Sequence, residues 1–332
     1  MPRVSVLLNC YNQSLYVGEA VESVLNQTFK DFELIVTDNG STDDTAKILH
    51  QYDHDPRVHI IIREKNGNVS RSFNEMVNMA QGEFVSLLLS DDYYLPEKLE
   101  RQIAIFDGLD KDCDIVYGPT LRYFEATGKS ILLPVIDIDQ NNSLIDLLVN
   151  YEKGPIQFIP PLIRRECYLN CPFLETLFFE GEGIFLRMAI RYKFHYDPNP
   201  TCVMRDTGKN WGKAFKKNLK MIFSALDALE SDPAFNSAVH GAPLKTYKSS
   251  LLRNCAWCNL RLNGSVGWSY SKYFEALELA PRQLFHKRTL LGFMMALLPS
   301  KLRTKLNRFV NKKQGLPEDS EVMENYEGEI PG

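Results

Sequence analysis

Residues 84–92 read FVSLLLSDD, six nearly all apolar residues followed by a serine and two adjacent carboxylates. A strand that is buried on both faces has this composition, whereas a half-buried strand alternates apolar and polar residues. Ligands of an open α/β sheet bind beyond the carboxyl ends of its strands. Asp91 and Asp92 are therefore candidates to hold a hard cation and the phosphates that it carries, although a turn after a strand is also an ordinary place for aspartate.

Three similar strands precede this one in the chain. Residues 4–8, 32–37 and 58–62 are short apolar runs, and each is followed by polar or small residues and then by apolar residues at helical spacing. Thr42 is a candidate N-cap for a helix that reaches Leu49. This alternation predicts an α/β fold with a mostly parallel sheet and right-handed crossovers. Because neither G-x-G-x-x-G nor a Walker A loop is present, a nucleotide diphosphate would need a metal ion here.

The bulk composition is that of an ordinary globular protein of one large or two modest domains. The chain has 332 residues, 44% hydrophobic and 24% charged, with a net charge of −4. This charge gives no reason to expect nucleic acid as a partner. No apolar run reaches the roughly 18–20 residues of a membrane helix. Because the first strand starts almost at Met1, we expect no signal peptide and a cytoplasmic location.

The seven cysteines do not suggest a disulfide framework. Cys255 and Cys258 form a Cys-x-x-Cys pair, and Cys167 and Cys171 are four residues apart. Two such pairs are compatible with a zinc site. However, the first pair lies in a stretch with helical spacing of Trp257 and leucines, so core packing is the favoured interpretation.

Several segments together resemble glycosyltransferase family 2. They are residues 4–12 (VSVLLNCYN), 23–28 (SVLNQT) and 33–43 (ELIVTDNGSTD). The family pattern continues in order through Asn66, Gly67, Ser70, Arg71, Asn74, Ala80 and Gly82, and residues 88–99 fit its metal-binding segment. The resemblance is specific over residues 4–100, weaker to about residue 210 and absent afterwards. It implies the GT-A fold (a Rossmann-like, mostly parallel sheet flanked by helices), a sugar-nucleotide donor, Mg²⁺ or Mn²⁺, and usually inversion at the anomeric carbon.

The resemblance also assigns expected roles on the donor side. Asp38 would bind the donor base or ribose, Asp91 would be the metal-bound acid of the family's D-x-D motif, and Asp92 would remain as a second carboxylate. Leu89 stands at the first acidic position of that motif, so the cation would rest mainly on one aspartate and the donor phosphates. The other expected donor-binding residues are Asn9, Tyr11, Asn39 (where a second Asp is frequent), Arg71 and Ser90.

A second chemical stretch, residues 178–187, reads FFEGEGIFLR. The family usually has Glu-Asp here, with the acid as general base, and this implies Glu180 or Glu182 as the base. Gly181 takes the usual Asp position, and Glu182 is slightly favoured because its longer side chain covers the one-residue offset. Alternatively, both acids simply favour a helix N-terminus.

Residues 205–211 (RDTGKNW) resemble the family segment that folds over the donor diphosphate, with Thr207 at a frequent His position. Arg205 and Lys209 would contact phosphate, or this segment is a solvated loop.

The C-terminal third is predicted to be helical and basic. Residues 282–313 contain nine Lys or Arg and no acid, whereas residues 314–332 contain six acids and no base, which is typical of a disordered tail. Leu291, Met294, Met295 and Leu298 are predicted to share one helical face, and Leu302, Leu306 and Phe309 a second. Residues 282–313 would thus form either a helix lying in a membrane interface or a helix packed on the catalytic domain with a solvated basic face.

The predicted organisation is a GT-A domain at 1–211, with a nucleotide-sugar half (1–110) and an acceptor half (111–211), then a helical region at 212–313. The predicted function is an inverting transferase of a UDP-sugar or similar donor. The acceptor would be a saccharide or lipid-linked saccharide of cell-surface polysaccharide or glycolipid synthesis, at the cytoplasmic face of the inner membrane. The alternative is a sugar-nucleotide-binding protein with degraded catalysis, because Leu89 and Gly181 replace expected acids. A processive synthase is disfavoured, since its membrane helices and its Q-x-x-R-W motif are both absent from the sequence.

Overall fold

A seven-stranded sheet forms the centre of the computed structural model, which describes residues 1–109, 113–208, 210, 215–239 and 241–314. A smaller four-stranded sheet lies beside it. The strands are β1 Val4–Cys10, β2 Phe32–Asp38, β3 Val58–Ile62, β4 Phe84–Leu89, β5 Tyr93–Tyr94, β6 Ile115–Tyr117, β7 Thr120–Phe124, β8 Lys129–Leu133, β9 Leu162–Arg164, β10 Phe194–Tyr196 and β11 Cys202–Asp206.

The large sheet has the order β10-β6-β9-β4-β1-β2-β3. All neighbours are parallel except β9, which runs antiparallel to β4 and β6. The predicted mostly parallel α/β sheet is thereby confirmed. Asn9 lies opposite Thr37 of β2 and Leu89 of β4, so these three strands end side by side at one edge.

The small sheet has the order β5-β11-β7-β8. Its strand β5 begins directly after Asp92 and pairs antiparallel with β11, where Tyr93 lies opposite Val203. The acidic loop after β4 is therefore held between the two sheets.

Helices cover the sheet and make up nearly all of the described chain after residue 214. They are α1 Val17–Leu25, α2 Thr45–Leu49, α3 Val69–Met79, α4 Lys98–Leu109, α5 Ser143–Val149, α6 Arg165–Asn170, α7 Gly183–Met188, α8 Phe215–Glu230, α9 Pro233–Ala238, α10 Ala242–Arg261, α11 Val266–Leu279, α12 Lys287–Ala296 and α13 Ser300–Gln314. No helix within the described residues combines the length and the apolar composition that crossing a bilayer requires.

One hydrophobic core joins the sheet to the helical region. It contains Leu7 and Leu88 from the sheet as well as Leu226 of α8 and Leu252 of α10. The helix α10 also packs against α5, and α8 packs against α7. The helical region is therefore built onto the α/β part through common packing.

Two local predictions are corrected by the structure. The N-cap of α2 is Asp44 and not Thr42, whose hydroxyl instead lies 3.3 Å from Asn12 Oδ1. Asn12 has a left-handed backbone (φ 52°), which brings its side chain to residues 41–42. Of the cysteines, Cys167 and Cys171 are buried as core residues, whereas Cys258 is exposed, so core packing does not account for it.

Candidate active site

The carboxyl edge of the large sheet carries buried polar atoms without a partner. Asp38 is fully buried, and its Oδ1 accepts bonds from the Ser41 amide (3.1 Å) and hydroxyl (2.5 Å). Within the described residues, Asp38 Oδ2 and Asn9 Nδ2 have no hydrogen-bond partner. A buried polar atom left unpaired costs about 1–3 kcal/mol, so this edge is suited to a polar ligand. A depression of about 510 Å³ lined by Arg3 and Glu83 lies at the opposite edge of the sheet, away from these atoms.

Asn39 connects the end of β2 to the start of α3. Its Nδ2 donates to the Gly67 carbonyl (2.8 Å), and its Oδ1 accepts from Ser72 Oγ (3.4 Å). A carboxylate could not donate to that carbonyl, which gives a physical reason for Asn in place of Asp. Gly40 (φ +80°) passes so close to Lys65 that a Cβ would lie 2.4 Å from its carbonyl carbon.

The other predicted donor-side residues occupy different environments. Tyr11 is exposed just beyond β1, and Ser90 is buried just beyond β4. Arg71 is exposed on the first turn of α3 and pairs with Glu175 at 3.0 Å. No hydrogen bond or ion pair between these side chains and Asp38 is present in the described part of the chain. Lys209 lies outside the described residues.

Asp91 and Asp92 have different surroundings although they are adjacent. The Asp91 carboxylate is half-buried and accepts a hydrogen bond from Asn210 Nδ2 at 2.8 Å. The Asp92 carboxylate is buried and accepts the Arg205 amide of β11 at 2.9 Å. Burial raises the pKa of Asp91, and burial together with the neighbouring Asp91 charge raises the pKa of Asp92 well above its usual range.

These surroundings bear on the predicted cation. Within the described residues, no three His, Cys, Asp or Glu side chains are grouped to hold a metal ion. Asp91 fits the role of one ligand, because it lies just beyond β4 and is only partly buried. Asp92 does not fit as the second, because its carboxylate is buried against β11. A cation would thus depend on Asp91 and on oxygens of the ligand itself.

Arg205 supports the loop that carries Asp91. Its Nε donates to the Asp91 carbonyl at 3.2 Å, and its guanidinium pairs with Glu19. The rings of Tyr16, Tyr93 and Tyr123 lie 5.1, 5.4 and 5.7 Å from the guanidinium carbon. With only 10% of its side chain exposed, Arg205 holds this loop in place, and a phosphate contact remains a prediction.

Glu180 is fixed by an ion pair. Its Oε1 lies 2.7 Å from Arg187 Nε and its Oε2 lies 3.0 Å from Arg187 Nη2, while Oε2 also accepts the Leu174 amide at 2.8 Å. The side chain has no exposed surface. A carboxylate that is bound on both oxygens and closed to solvent is poorly placed to accept a proton from a substrate.

Glu182, immediately before α7, is accessible to solvent, unlike Glu180. Its side chain is exposed to solvent, although protein surrounds it closely enough to raise its pKa above the ordinary range. The Glu182 charge adds to the burial that raises the pKa of Tyr151 and of Tyr247, whose rings lie 5.0 Å apart. An accessible carboxylate with a raised pKa is suited to general base catalysis.

The amino end of α3 fixes the segment that carries both glutamates. The Val69 and Ser70 amides donate to the Phe178 carbonyl at 2.9 and 3.2 Å, and Ser70 Oγ accepts the Glu180 amide at 3.1 Å. Asn74 exchanges two bonds with the backbone of Phe173. Because α3 begins after β3, this segment lies at the same sheet edge as Asp38 and Asp91.

Sequence reasoning missed three supporting residues. Asn68 is the N-cap of α3, and its Nδ2 also donates to the Leu177 carbonyl at 2.8 Å. Asn210 joins residues 205–210 to Asp91. Arg187 fixes Glu180. The sequence signals were the family pattern around Ser70 and Asn74 and the helical arginine that the family has after the acid, at Arg187. They mark these positions but not their contacts.

Comparison with known proteins agrees with this fold. Residues 5–165 match the model of "Glycosyl transferase family 2". TuaG of Bacillus subtilis, provisionally named for teichuronic acid biosynthesis, is 37% identical over 113 residues, which are 34% of this chain and 44% of that protein. The chain thus spans about half the length of this relative.

Two solved structures share the fold. The Staphylococcus aureus protein TarS (residues 1–349, in complex with UDP) has a TM-score of 0.60 and 17% identity, and the match covers 95% of this chain and 92% of that one. The mannosyltransferase PcManGT from Pyrobaculum calidifontis, in complex with GDP-Man and Mn²⁺, has a TM-score of 0.56 and 16% identity, covering 94% and 88%. Residues 5–165 of the chain are therefore similar to glycosyltransferase family 2, and the chain shares its fold with these two structures.

Proposed function

We propose that the protein is an inverting, non-processive glycosyltransferase that moves a sugar from a nucleotide-sugar donor to an acceptor hydroxyl. The observation that carries the proposal is the contrast between the two glutamates. Glu180 is locked by Arg187, whereas Glu182 is accessible and has a raised pKa. A protein that only bound the donor would have no need for such a base.

Glu182 is the general base of this reaction. Its carboxylate takes the proton of the acceptor hydroxyl while that oxygen attacks the anomeric carbon, and the bond from this carbon to the diphosphate breaks on the opposite face. The configuration therefore inverts, and the electron pair leaves with the nucleotide diphosphate.

The donor binds along the carboxyl edge of the large sheet. Asp38 and Asn9, each with an unpaired buried atom, contact the base and ribose, and Tyr11 packs on the nucleotide. Asp91 would hold Mg²⁺ or Mn²⁺, and such a cation would supply positive charge that favours departure of the diphosphate. Arg205 and Asn210 keep Asp91 in place from β11. PcManGT with GDP-Man and Mn²⁺ supports such an arrangement by analogy of fold.

A UDP-sugar is the proposed donor, supported by the UDP found with TarS. The acceptor is a saccharide or a lipid-linked saccharide of a surface polysaccharide or glycolipid, supported by the name of TuaG. Such an enzyme would work at the cytoplasmic face of a membrane. The functional unit is residues 1–211, with residues 1–110 on the donor side and residues 111–211 on the acceptor side.

The test combines ligand binding with turnover. UDP-, GDP- and dTDP-sugars are screened for thermal stabilisation with Mn²⁺ and with EDTA, since a ligand that binds the native state raises the melting temperature. The donor that stabilises the protein is then incubated with acceptor candidates, and release of nucleotide diphosphate is measured. Stabilisation without any release would favour the binding protein with degraded catalysis, and no stabilisation by any donor would reject both functions.

A further inference from the structure

The helix α13, the last one that the structure describes, buries its polar face and exposes its apolar face. A surface helix normally buries its apolar stripe and exposes its polar one. In α13 the side chains of Leu302, Leu306 and Phe309 are 49%, 43% and 58% exposed, whereas Arg303 and Asn307 are only 6% exposed. The apolar stripe of α13 therefore faces solvent.

Specific contacts hold α13 in this orientation. The Arg261 Nε of α10 donates to Asn307 Oδ1 at 3.3 Å, and Asn307 Nδ2 bonds back to the Arg261 carbonyl. Asn263 Nδ2 donates to Thr304 Oγ1 at 2.6 Å. Rotating the helix to bury its leucines would break these polar contacts, so the outward apolar stripe is built into the fold.

The preceding helix, α12, shows the same property on one of its faces. Met295 is buried against Ala256, Leu260 and Tyr273, which corrects the predicted face that grouped it with Met294. Other large apolar side chains, on α12 and immediately before and after it, are exposed. They are Phe285 (80% exposed), Leu290 (47%), Leu291 (46%), Met294 (63%) and Leu297 (79%).

Basic side chains lie beside the exposed apolar ones. Their positive charge favours a partner with negative charge. Residues 281–314 contain no acid. Among the side chains of this stretch that the structure describes, five basic ones are exposed, namely Arg282, Lys287, Lys301, Lys305 and Arg308. A symmetric dimer through this surface would bring like charges of two copies together. An anionic lipid bilayer instead offers an apolar layer below and negative charge above, the environment of an interfacial helix.

We infer that α12 and α13 dock the protein on an anionic membrane surface, with their exposed apolar side chains at the level of the headgroups and acyl chains and their basic side chains among the lipid phosphates. This docking is independent of whether the chain transfers a sugar. The helices lie in the interface and do not cross it.

The experiment is sedimentation of the full chain with vesicles of phosphatidylcholine, alone or mixed with phosphatidylglycerol, at low and high salt. We expect binding to the mixed vesicles that weakens with salt. The apolar variant Leu291→Gln/Met294→Gln/Leu302→Gln is expected to weaken binding on the order of tenfold or more. The charge variant Lys287→Gln/Lys301→Gln/Lys305→Gln is expected to lose about fivefold per lysine.

The matched control is Lys129→Gln/Leu132→Gln on β8, which makes the same chemical changes on the edge strand of the small sheet. It is expected to bind like the unchanged chain. Because all substituted side chains are exposed, the melting temperature reports whether each variant is folded. Absence of binding to anionic vesicles at low salt, or equal binding by the apolar variant and the control, would overturn the proposal.

Two other occupants of the surface would also be detected. A concentration-dependent dimer in analytical ultracentrifugation, abolished by the apolar variant in the absence of vesicle binding, would identify a second copy as the partner. Vesicle binding by a chain that ends at Gln314, but not by the full chain, would show that the acidic tail occupies the surface. Either result would overturn membrane docking of the full-length protein.

Discussion

Glu180 and Glu182 are two residues apart, yet their surroundings give them different chemistry. Arg187 binds both oxygens of Glu180, and this bidentate pairing holds the carboxylate in one position. Glu182 has no such partner within the described residues and is surrounded by protein that disfavours its charged form. The Glu180–Arg187 pair therefore stabilises the fold, whereas Glu182 is suited to proton transfer.

The first prediction concerns Glu182→Gln. We expect turnover to fall by roughly a hundredfold or more with donor affinity unchanged, because the amide keeps the shape but cannot take a proton. In the unchanged protein, activity requires the carboxylate form. Because the pKa of Glu182 is raised, the loss of activity on acidification is expected at a higher pH than for an ordinary glutamate. Steady-state rates across pH, with donor affinity from calorimetry, measure both effects.

The matched control is Glu180→Gln. This change leaves Arg187, with a side chain only 16% exposed, without its charged partner. We expect a loss of about 3 kcal/mol in the free energy of unfolding, seen as a lower melting temperature. If Glu180→Gln instead remains stable and loses turnover while Glu182→Gln stays active, the assignment of the base is wrong.

The second prediction separates the two aspartates. In Asp91→Asn the bond from Asn210 can be kept, but the charge that would hold a cation is lost. We expect turnover to fall on the order of a hundredfold or more, because metal-bound phosphate contributes several kcal/mol, and donor binding to lose its dependence on Mn²⁺.

Asp92→Asn is the comparison variant, since the new amide oxygen can still accept the Arg205 amide. We expect cation-dependent binding to persist and stability to change by less than about 1 kcal/mol. Calorimetric titration of donor with Mn²⁺ or EDTA, together with melting curves, distinguishes the two aspartates. Equal loss of Mn²⁺ dependence in both variants would restore Asp92 as a metal ligand.

At the level of elements, α3 links donor and acceptor sides of the site. Its first turn is joined to β2 through Asn39 and Ser72, and it holds the segment before α7 through Ser70 and Asn74. The position of Glu182 therefore depends on α3. In the described part of the chain no hydrogen bond joins Glu182 to this helix, so the dependence is indirect.

The third prediction is that Asn74→Ala lowers turnover by roughly tenfold to a hundredfold, because a displacement of about 1 Å in a catalytic group is enough for such a loss. Donor affinity should stay unchanged, since Asn74 contacts residues 173–175 and not the end of β2. Asn78→Ala, exposed on the same helix, is the control and should match the unchanged protein. A parallel loss of donor binding in Asn74→Ala would mean that the whole site, and not this segment, depends on the contact.

The elements also show what a sequence can predict. The strands β1 to β4 were predictable because an apolar run between polar ends has few alternatives, and residues 58–62 match β3 fully. The strands β9 and β10 have three residues each and β5 has two, which is too short for a periodic signal. Their partners are distant in sequence, so only tertiary packing makes them strands.

The candidate site was predictable to a similar extent. Asp38 is the last residue of β2 and Asp91 lies just beyond β4, and both belong to a recognisable sequence pattern. The aromatic surroundings of Arg205 bring together Tyr16, Tyr93 and Tyr123, residues from three separate parts of the chain. The sequence spacing of such residues contains no information about their contact, so the supporting role of Arg205 could not be predicted.

At the scale of the whole molecule, the catalytic unit and the folding unit differ. The family match ends at residue 165, and residues 1–211 contain every proposed catalytic group. The core, however, continues into the helical region. The helices after residue 214 therefore both complete the core and carry the outward apolar surface of α12 and α13.

The last prediction is that a chain ending at residue 211 does not fold cooperatively. It lacks six leucines that are buried in the common core, namely Leu219, Leu226, Leu229, Leu244, Leu251 and Leu252. At about 2 kcal/mol for each buried leucine, their loss is comparable to the entire ~5–15 kcal/mol stability of a typical native protein. Thermal unfolding followed by circular dichroism should show no cooperative transition, and a dye that binds exposed apolar surface should bind strongly.

A chain ending at Gln314, which keeps all of these leucines and loses only the acidic tail, should melt within about 2 °C of the full chain. A cooperative transition of the 211-residue chain, with donor binding intact, would instead show that the α/β part is an independent domain and that the helices are an addition to it.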